Sequence, residues 1–274
     1  MTRYSCIFAF AVLLVFASGA FADSMTFTNP GSNIWAGVYV NPYTGVDNTQ
    51  AALYPQNPPT TLTLFCDDWN TEFSGYPTWD AVITPLAPPT GTAGTYAQAN
   101  FLFGNVTSVY NFTLGNDGNH VQWTLAVGVN ATDIYFRYLE AAYLFGEIQT
   151  AIATNSSTLA TQEQELSAAA WSLFVDSTHV GGLGGDVNSD SAFAQAVVKD
   201  LSDAAHAAGS PTNLNYSVGY GWYVVTPEAP VTDTADLYPM QEFMYYSPVP
   251  EPASILLLGV VLLGCGRGLA RRWS

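Results

Sequence analysis

Apolar residues change rhythm several times along the chain. A short continuous run over residues 6–16 comes first. From Asp23 to about Val129 the pattern breaks into brief stretches rich in β-branched and aromatic residues, at 34–40, 62–66, 106–114 and 121–129, several of them alternating with polar residues. Alternation with a period of two is the mark of a half-buried strand. Asn41-Pro42, Pro58-Pro59 and Pro88-Pro89 separate the stretches, and Gly115-Asn116-Asp117-Gly118-Asn119 predicts a hairpin loop between two of them. This part predicts an antiparallel β-domain.

The period then lengthens. Ile134, Tyr138, Ala141, Ala142 and Phe145 share one face of a helix over 133–153, with Thr132 or Asp133 able to cap it. Thr161 followed by Gln164 predicts a capping-box start to a second helix over 162–175, carrying Leu166, Ala169, Ala170 and Leu173. A third runs from Ser189 or Asp190 to Ala208 and is closed by Gly209 and Pro211. Strand character returns at 215–225 and 240–246. The predicted fold class is therefore α+β: an antiparallel β-sandwich or barrel over 23–247, with an insertion of about three helices at about 132–210 and the last strand beside an early one. A final apolar run at 253–266 predicts a C-terminal transmembrane helix, although a span normally needs roughly 20 apolar residues.

The two ends define a topology. Arg3 precedes the first apolar run, and Ala20-Phe21-Ala22 supplies the small residues a signal peptidase needs, so residues 1–22 read as a signal peptide cut between Ala22 and Asp23. Arg267, Arg271 and Arg272 follow the last run and hold that end on the cytoplasmic side. Everything between lies outside the cytoplasm. Net charge is −16, and of the six basic residues only Arg137 and Lys199 lie between the targeting segments. A domain this acidic repels phosphate backbones, which excludes nucleic acid as a partner.

Between the last predicted strand and the apolar run stand Pro250, Glu251 and Pro252. Prolines bar helix there and leave the approach extended for an enzyme. This order of Pro-Glu-Pro, apolar run and arginines resembles the PEP-CTERM sorting signal of Gram-negative bacteria. The resemblance implies processing by exosortase, transient anchoring in the membrane through the C-terminal segment, and delivery to the cell surface or extracellular matrix.

Cys66 is the one cysteine between the targeting segments, in a compartment that permits disulfides. Asp67 and Asp68 follow it and disfavour a thiolate, so a small buried apolar side chain is one reading. A second reading comes from three blocks: Phe65-Cys66-Asp67-Asp68, the helical stretch from Leu166 to Leu173 (LSAAAWSL), and Gln241-Glu242-Phe243-Met244. Together they resemble the thioester domains of bacterial surface adhesins, with Ser167 or Ala168 where that family shows Gln. The resemblance implies a β-fold with a helical insertion, in which the Cys66 sulfur is acylated by the side chain of Gln241. Trp171, Phe65 and Phe243 are candidates for a dry wall around such a bond. A partner for it is a surface amine, or extracellular polysaccharide bound by the domain.

Other chemistry is weaker. Asp186, Asn188 and Asp190 imitate the start of a calcium loop, but Ser191 and Val197 stand where Gly and a bidentate Glu are required, and a glycine-rich loop capping the third helix fits better. His120, His179 and His206 are scattered, and no pattern points to a metal or cofactor. Asp67, Asp68, Glu72 and Asp80 are the nearest carboxylates for a secreted glycan-acting hydrolase, the alternative to a non-enzymatic surface protein. A carbohydrate-binding module without a thioester is the other alternative, since tyrosines and tryptophans stack on sugars.

Overall fold

The computed structural model describes residues 23–49, 59–67, 78–86, 110–113, 122–125, 131–174, 180–210, 212–227 and 242–247. Ala22, Gln241, Pro250, Glu251, Pro252, Arg267, Arg271 and Arg272 lie outside them, as does the apolar run at 253–266. Among the described residues no helix is long and apolar enough to cross a membrane.

Strands from both ends of the domain build one closed antiparallel barrel. In chain order these are β1 (Asp23–Asn29), β4 (Tyr43–Asp47), β5 (Thr60–Cys66), β6 (Thr78–Pro85), β11 (Trp222–Pro227) and β12 (Phe243–Tyr246). They close in the order β1-β4-β5-β12-β11-β6. Of the two architectures predicted, the barrel is the one found. The C-terminal strand is no edge: it fills the gap between β5 and β11, pairing Phe243 with Cys66 and Val225.

Strand alternation sorts side chains to two sides. Leu64, Cys66, Val225 and Phe243 point into the barrel with Phe27 and Trp79. Their neighbours Phe65, Val224 and Met244 point outward, into a second core shared with the helices. Gly45 on β4 pairs with Leu62 on β5, and a side chain there would run into Leu64.

The helical layer contains α1 (Ala131–Ala153), α2 (Leu159–Ser172), α3 (Val180–Asn188) and α4 (Ser191–Ala208). Tyr138, Leu139 and Phe145 on α1 are completely buried, and Phe145 stacks on Phe65 at 5.0 Å between ring centroids. Leu166 to Ser172 on α2 are all buried, the small residues Ser167 to Ala170 suiting close packing against α1 and α4. Arg137, itself buried, donates from Nη1 to the Leu173 carbonyl at 3.3 Å, satisfying an orphan acceptor at the end of α2.

Several boundaries differ from the sequence expectation. Residues 34–40 are not one strand but a small hairpin of β2 (Ile34–Trp35) and β3 (Val38–Tyr39), because Ala36 and Gly37 both turn through positive φ. The second helix starts at Leu159, and Thr158 makes no side-chain cap. Gln164 instead donates to Asn33 Oδ1 at 3.2 Å and to the Ile34 carbonyl at 3.0 Å, tying the hairpin to α2. The glycine-rich segment before the last long helix is itself the helix α3, so the three expected helices are joined by a short fourth. Residues 216–219 form a 3-10 turn, Tyr216–Gly219, after the two-residue strands β9 (Gly209–Ser210) and β10 (Asn213–Leu214). β7 (Tyr110–Thr113) and β8 (Gln122–Leu125) pair antiparallel, as the predicted hairpin requires.

Candidate functional site

Cys66 closes β5 with its side chain in the barrel and 1% of its surface exposed. Phe243, its register partner, packs in the same cluster and is a hub for the rings of Phe27, Tyr43 and Trp79, at 5.9 to 6.1 Å. The Tyr43 phenol is pushed up by burial and then by the neighbouring Cys66, and it donates to the Tyr39 carbonyl at 2.6 Å. The thiol thus faces a dry, aromatic interior.

The peptide that carries it is held from the other side. β4 stops pairing with β5 at Tyr43 and Leu64. Two residues on, the side chain of Asn41 takes the place of a strand: Cys66 N–H donates to Asn41 Oδ1 at 2.6 Å, and Asn41 Nδ2 donates to the Cys66 carbonyl at 3.1 Å. Trp171 Nε1 gives that carbonyl a second donor at 3.0 Å. Ser167 Oγ in turn accepts from Asn41 N–H at 3.1 Å, so α2 braces both ends of the arrangement. All these groups are buried, where an unmade hydrogen bond is expensive.

A second polar network lies one residue further along each strand, on the helix side of the barrel. Glu242 is fully buried; it accepts from the Tyr138 hydroxyl and, at 2.5 Å, from Thr226 Oγ1. Asp67, just past the end of β5, is also fully buried. Two residues along α1 from Tyr138, burial raises the Glu140 carboxyl to about 8, with Arg137 acting in the opposite sense.

Of the three aromatic residues proposed as a wall, Phe243 alone shares the barrel interior with Cys66. Phe65 points the other way, because neighbouring residues on a strand face opposite sides. Trp171 reaches Cys66 through its carbonyl from the helix side. Gln241, the proposed acyl donor, lies outside the described residues; it precedes Glu242 in the chain. The hydrolase carboxylates are not brought together among the described residues: Asp67 is buried beyond β5, Asp80 is exposed on β6, and β12 and β11 intervene between those strands. Asp68 and Glu72 lie outside the described residues. Asp190 serves as a helix cap, accepting from Ala192 N–H at 2.8 Å, while Asp186 and Asn188 belong to α3. His206 sits exposed in the last turn of α4, and His120 and His179 lie outside the described residues.

Sequence alone marks neither Asn41 nor Ser167 as a support of the Cys66 peptide. Asn-Pro reads there as a turn signal, and the partner that gives Asn41 its role is 25 residues away.

Residues 248–272 match the family model of the PEP-CTERM protein-sorting motif. That span contains Pro250, Glu251 and Pro252, the apolar run and the three arginines, and begins directly after the last described residue, Ser247. No curated protein and no solved structure matches the chain. The match implies an exported protein, sorted through the membrane and processed by exosortase.

Proposed function

We propose that this is a non-enzymatic cell-surface or extracellular-matrix protein, held at the membrane by its tail until exosortase releases it, with an adhesive or structural role in an exopolysaccharide matrix. The observation that carries the reading is the sorting motif at 248–272, joined without a spacer domain to the barrel's last strand. Replacing Glu251 by Ala in the native host should leave the unprocessed chain in the membrane fraction. Normal release of that variant would remove exosortase from the account.

For attachment we propose a thioester between Cys66 and Gln241. Support comes from the pairing of Cys66 with Phe243, two residues after Gln241, on adjacent strands, and from the water-poor surroundings of the thiol. In the forming step the Cys66 sulfur attacks the Gln241 side-chain carbonyl carbon, the C–N bond breaks, and the amide nitrogen departs as ammonia with the thiol proton. A partner's primary amine later attacks the same carbon, an amide forms, the C–S bond breaks and the thiol regains a proton. The intact mass should be lower than the sequence mass by about 17 Da, a deficit absent from Cys66→Ala and replaced by a gain on methylamine treatment. A full-mass protein with a titratable thiol would leave Cys66 a purely structural residue.

A further inference from the structure

We propose that Tyr216, Tyr220 and Tyr246 form a lipid-contacting patch on which the folded domain rests while the sorting signal still anchors the chain. The inference builds on the anchored intermediate of the preceding section and assigns the domain a membrane-facing surface. Tyr220, Tyr246 and Tyr216 are exposed by 64%, 42% and 37%; among the described aromatic residues Tyr39, at 45% on the β2–β3 hairpin, is the other exposed one.

Their placement is fixed by the chain's exit. Ser247 N–H donates to the Gly221 carbonyl at 2.8 Å, pinning the last described residue to the turn that follows Tyr220. Gly221 has φ of +80°, and a Cβ there would lie 2.7 Å from the Tyr246 ring, so that ring lies over the glycine with Tyr220 as the next residue. Tyr216 packs on the buried Tyr135 at 5.7 Å between ring centroids, and the turn Tyr216–Gly219 leads directly into Tyr220.

Geometry of the tether limits where this surface can go. Residues 248–252 separate Ser247 from the apolar run, and at full extension the link from Ser247 to Ala253 covers about 20 Å. The exit point is therefore held close to the bilayer surface. Residues 212–227 and 243–247 contain no charged side chain, so the segments at the chain's exit carry no charge of their own to hold them off lipid headgroups. Tyrosine suits that boundary, with an apolar ring and a hydroxyl for the wet side. A short tether supplies a high effective concentration, so weak contacts suffice, and cleavage abolishes it. The domain would then leave the membrane without any change in its own surface.

The test uses the full chain reconstituted in phosphatidylethanolamine–phosphatidylcholine vesicles and followed by hydrogen exchange. Amides of 216–221 and 244–247 should exchange several-fold more slowly in the wild-type protein than in Tyr220→Ser or in Tyr220→Ser with Tyr246→Ser. A flexible Gly-Ser spacer of about 20 residues inserted after Ser247 should weaken the slowing without removing the anchor. Exchange within Ser191–Ala208 should stay the same in all variants, reporting an intact fold. Equal exchange with and without the tyrosines would overturn the patch while vesicle flotation still showed anchoring. Slowing that appears only with added soluble glucan, or only at high protein density, would overturn it in favour of a glycan surface or a self-contact. A chain that does not float with vesicles would overturn the anchored intermediate and the patch together.

Discussion

Asn41 and Cys66 exchange two hydrogen bonds, at 2.6 and 3.1 Å, in which one side-chain amide stands in for the backbone of a missing strand. Its removal leaves a buried N–H and a weakened carbonyl at the end of β5. Asn41→Ala should cost about 2–4 kcal/mol in urea unfolding. Trp171→Phe, which leaves the Asn41 donor on the same carbonyl, should cost about 1 kcal/mol for the hydrogen bond. Coupling between the two changes in a double-mutant cycle would show that they share this acceptor, and strict additivity would show that they do not.

Glu242 gathers the Tyr138 and Thr226 hydroxyls in a buried setting. Hydrogen bonds to a carboxylate are the stronger kind. Tyr138→Phe should cost about 1.5–3 kcal/mol, measured by chemical denaturation. Thr226→Val should behave similarly, and a loss below about 0.5 kcal/mol for both would mean that Glu242 is held by its other contacts.

Glu140 is raised to about 8 by burial, and among the described residues its Oε2 has no hydrogen-bond partner. A carboxyl whose folded pKa exceeds its unfolded value binds more protons in the native state. Its contribution is fully present below the unfolded value of 4.5 and falls away as pH rises toward 8. Stability should therefore decline across that window by an amount on the order of kcal/mol, and Glu140→Gln should flatten the decline. Thermal unfolding at several pH values checks both. A wild-type curve flat over that range would mean that Glu140 titrates normally.

Gly45, paired with Leu62, lies beneath the side chain of Leu64, with the Thr26 carbonyl 3.2 Å from where a Cβ would stand. Gly45→Ala should destabilise by about 1–3 kcal/mol through overpacking, against the usual direction for removing a strand glycine. Leu64→Val in the same protein should recover part of the loss.

Much of the frame was legible because strand and helix periods are short-range. The alternation through Leu64, Phe65 and Cys66 sets opposite faces for Phe65 and Cys66, a rule that grouping Phe65 in the wall around Cys66 overlooked, and Asp190 and Gly209 mark both ends of α4. The strands β1, β4 and β6 carry weaker marks: they are rich in threonine or interrupted by Gly45, Asp80 and Pro85, and their pairing partners decide them. α3 is hidden by four glycines, which disfavour helix; the burial of Leu183 and Val187 against the other helices overrides that preference. The turn at Ala36 and Gly37 is concealed because alanine rarely takes positive φ. The site was legible in the thiol and in Trp171, named beside it, and illegible in Asn41 and Ser167, since Asn41 meets the Cys66 peptide and Ser167 meets Asn41 only through tertiary structure.

The place of β12 between β5 and β11 also sets an order of events during export. Until residue 246 has crossed the membrane, the sheet is an open one with two bare edges and Cys66 lacks its neighbour. Bare edges invite pairing with other chains. The strand that closes them is followed at once by the sorting signal, so the chain becomes fit to be released at the moment it stops being prone to aggregate.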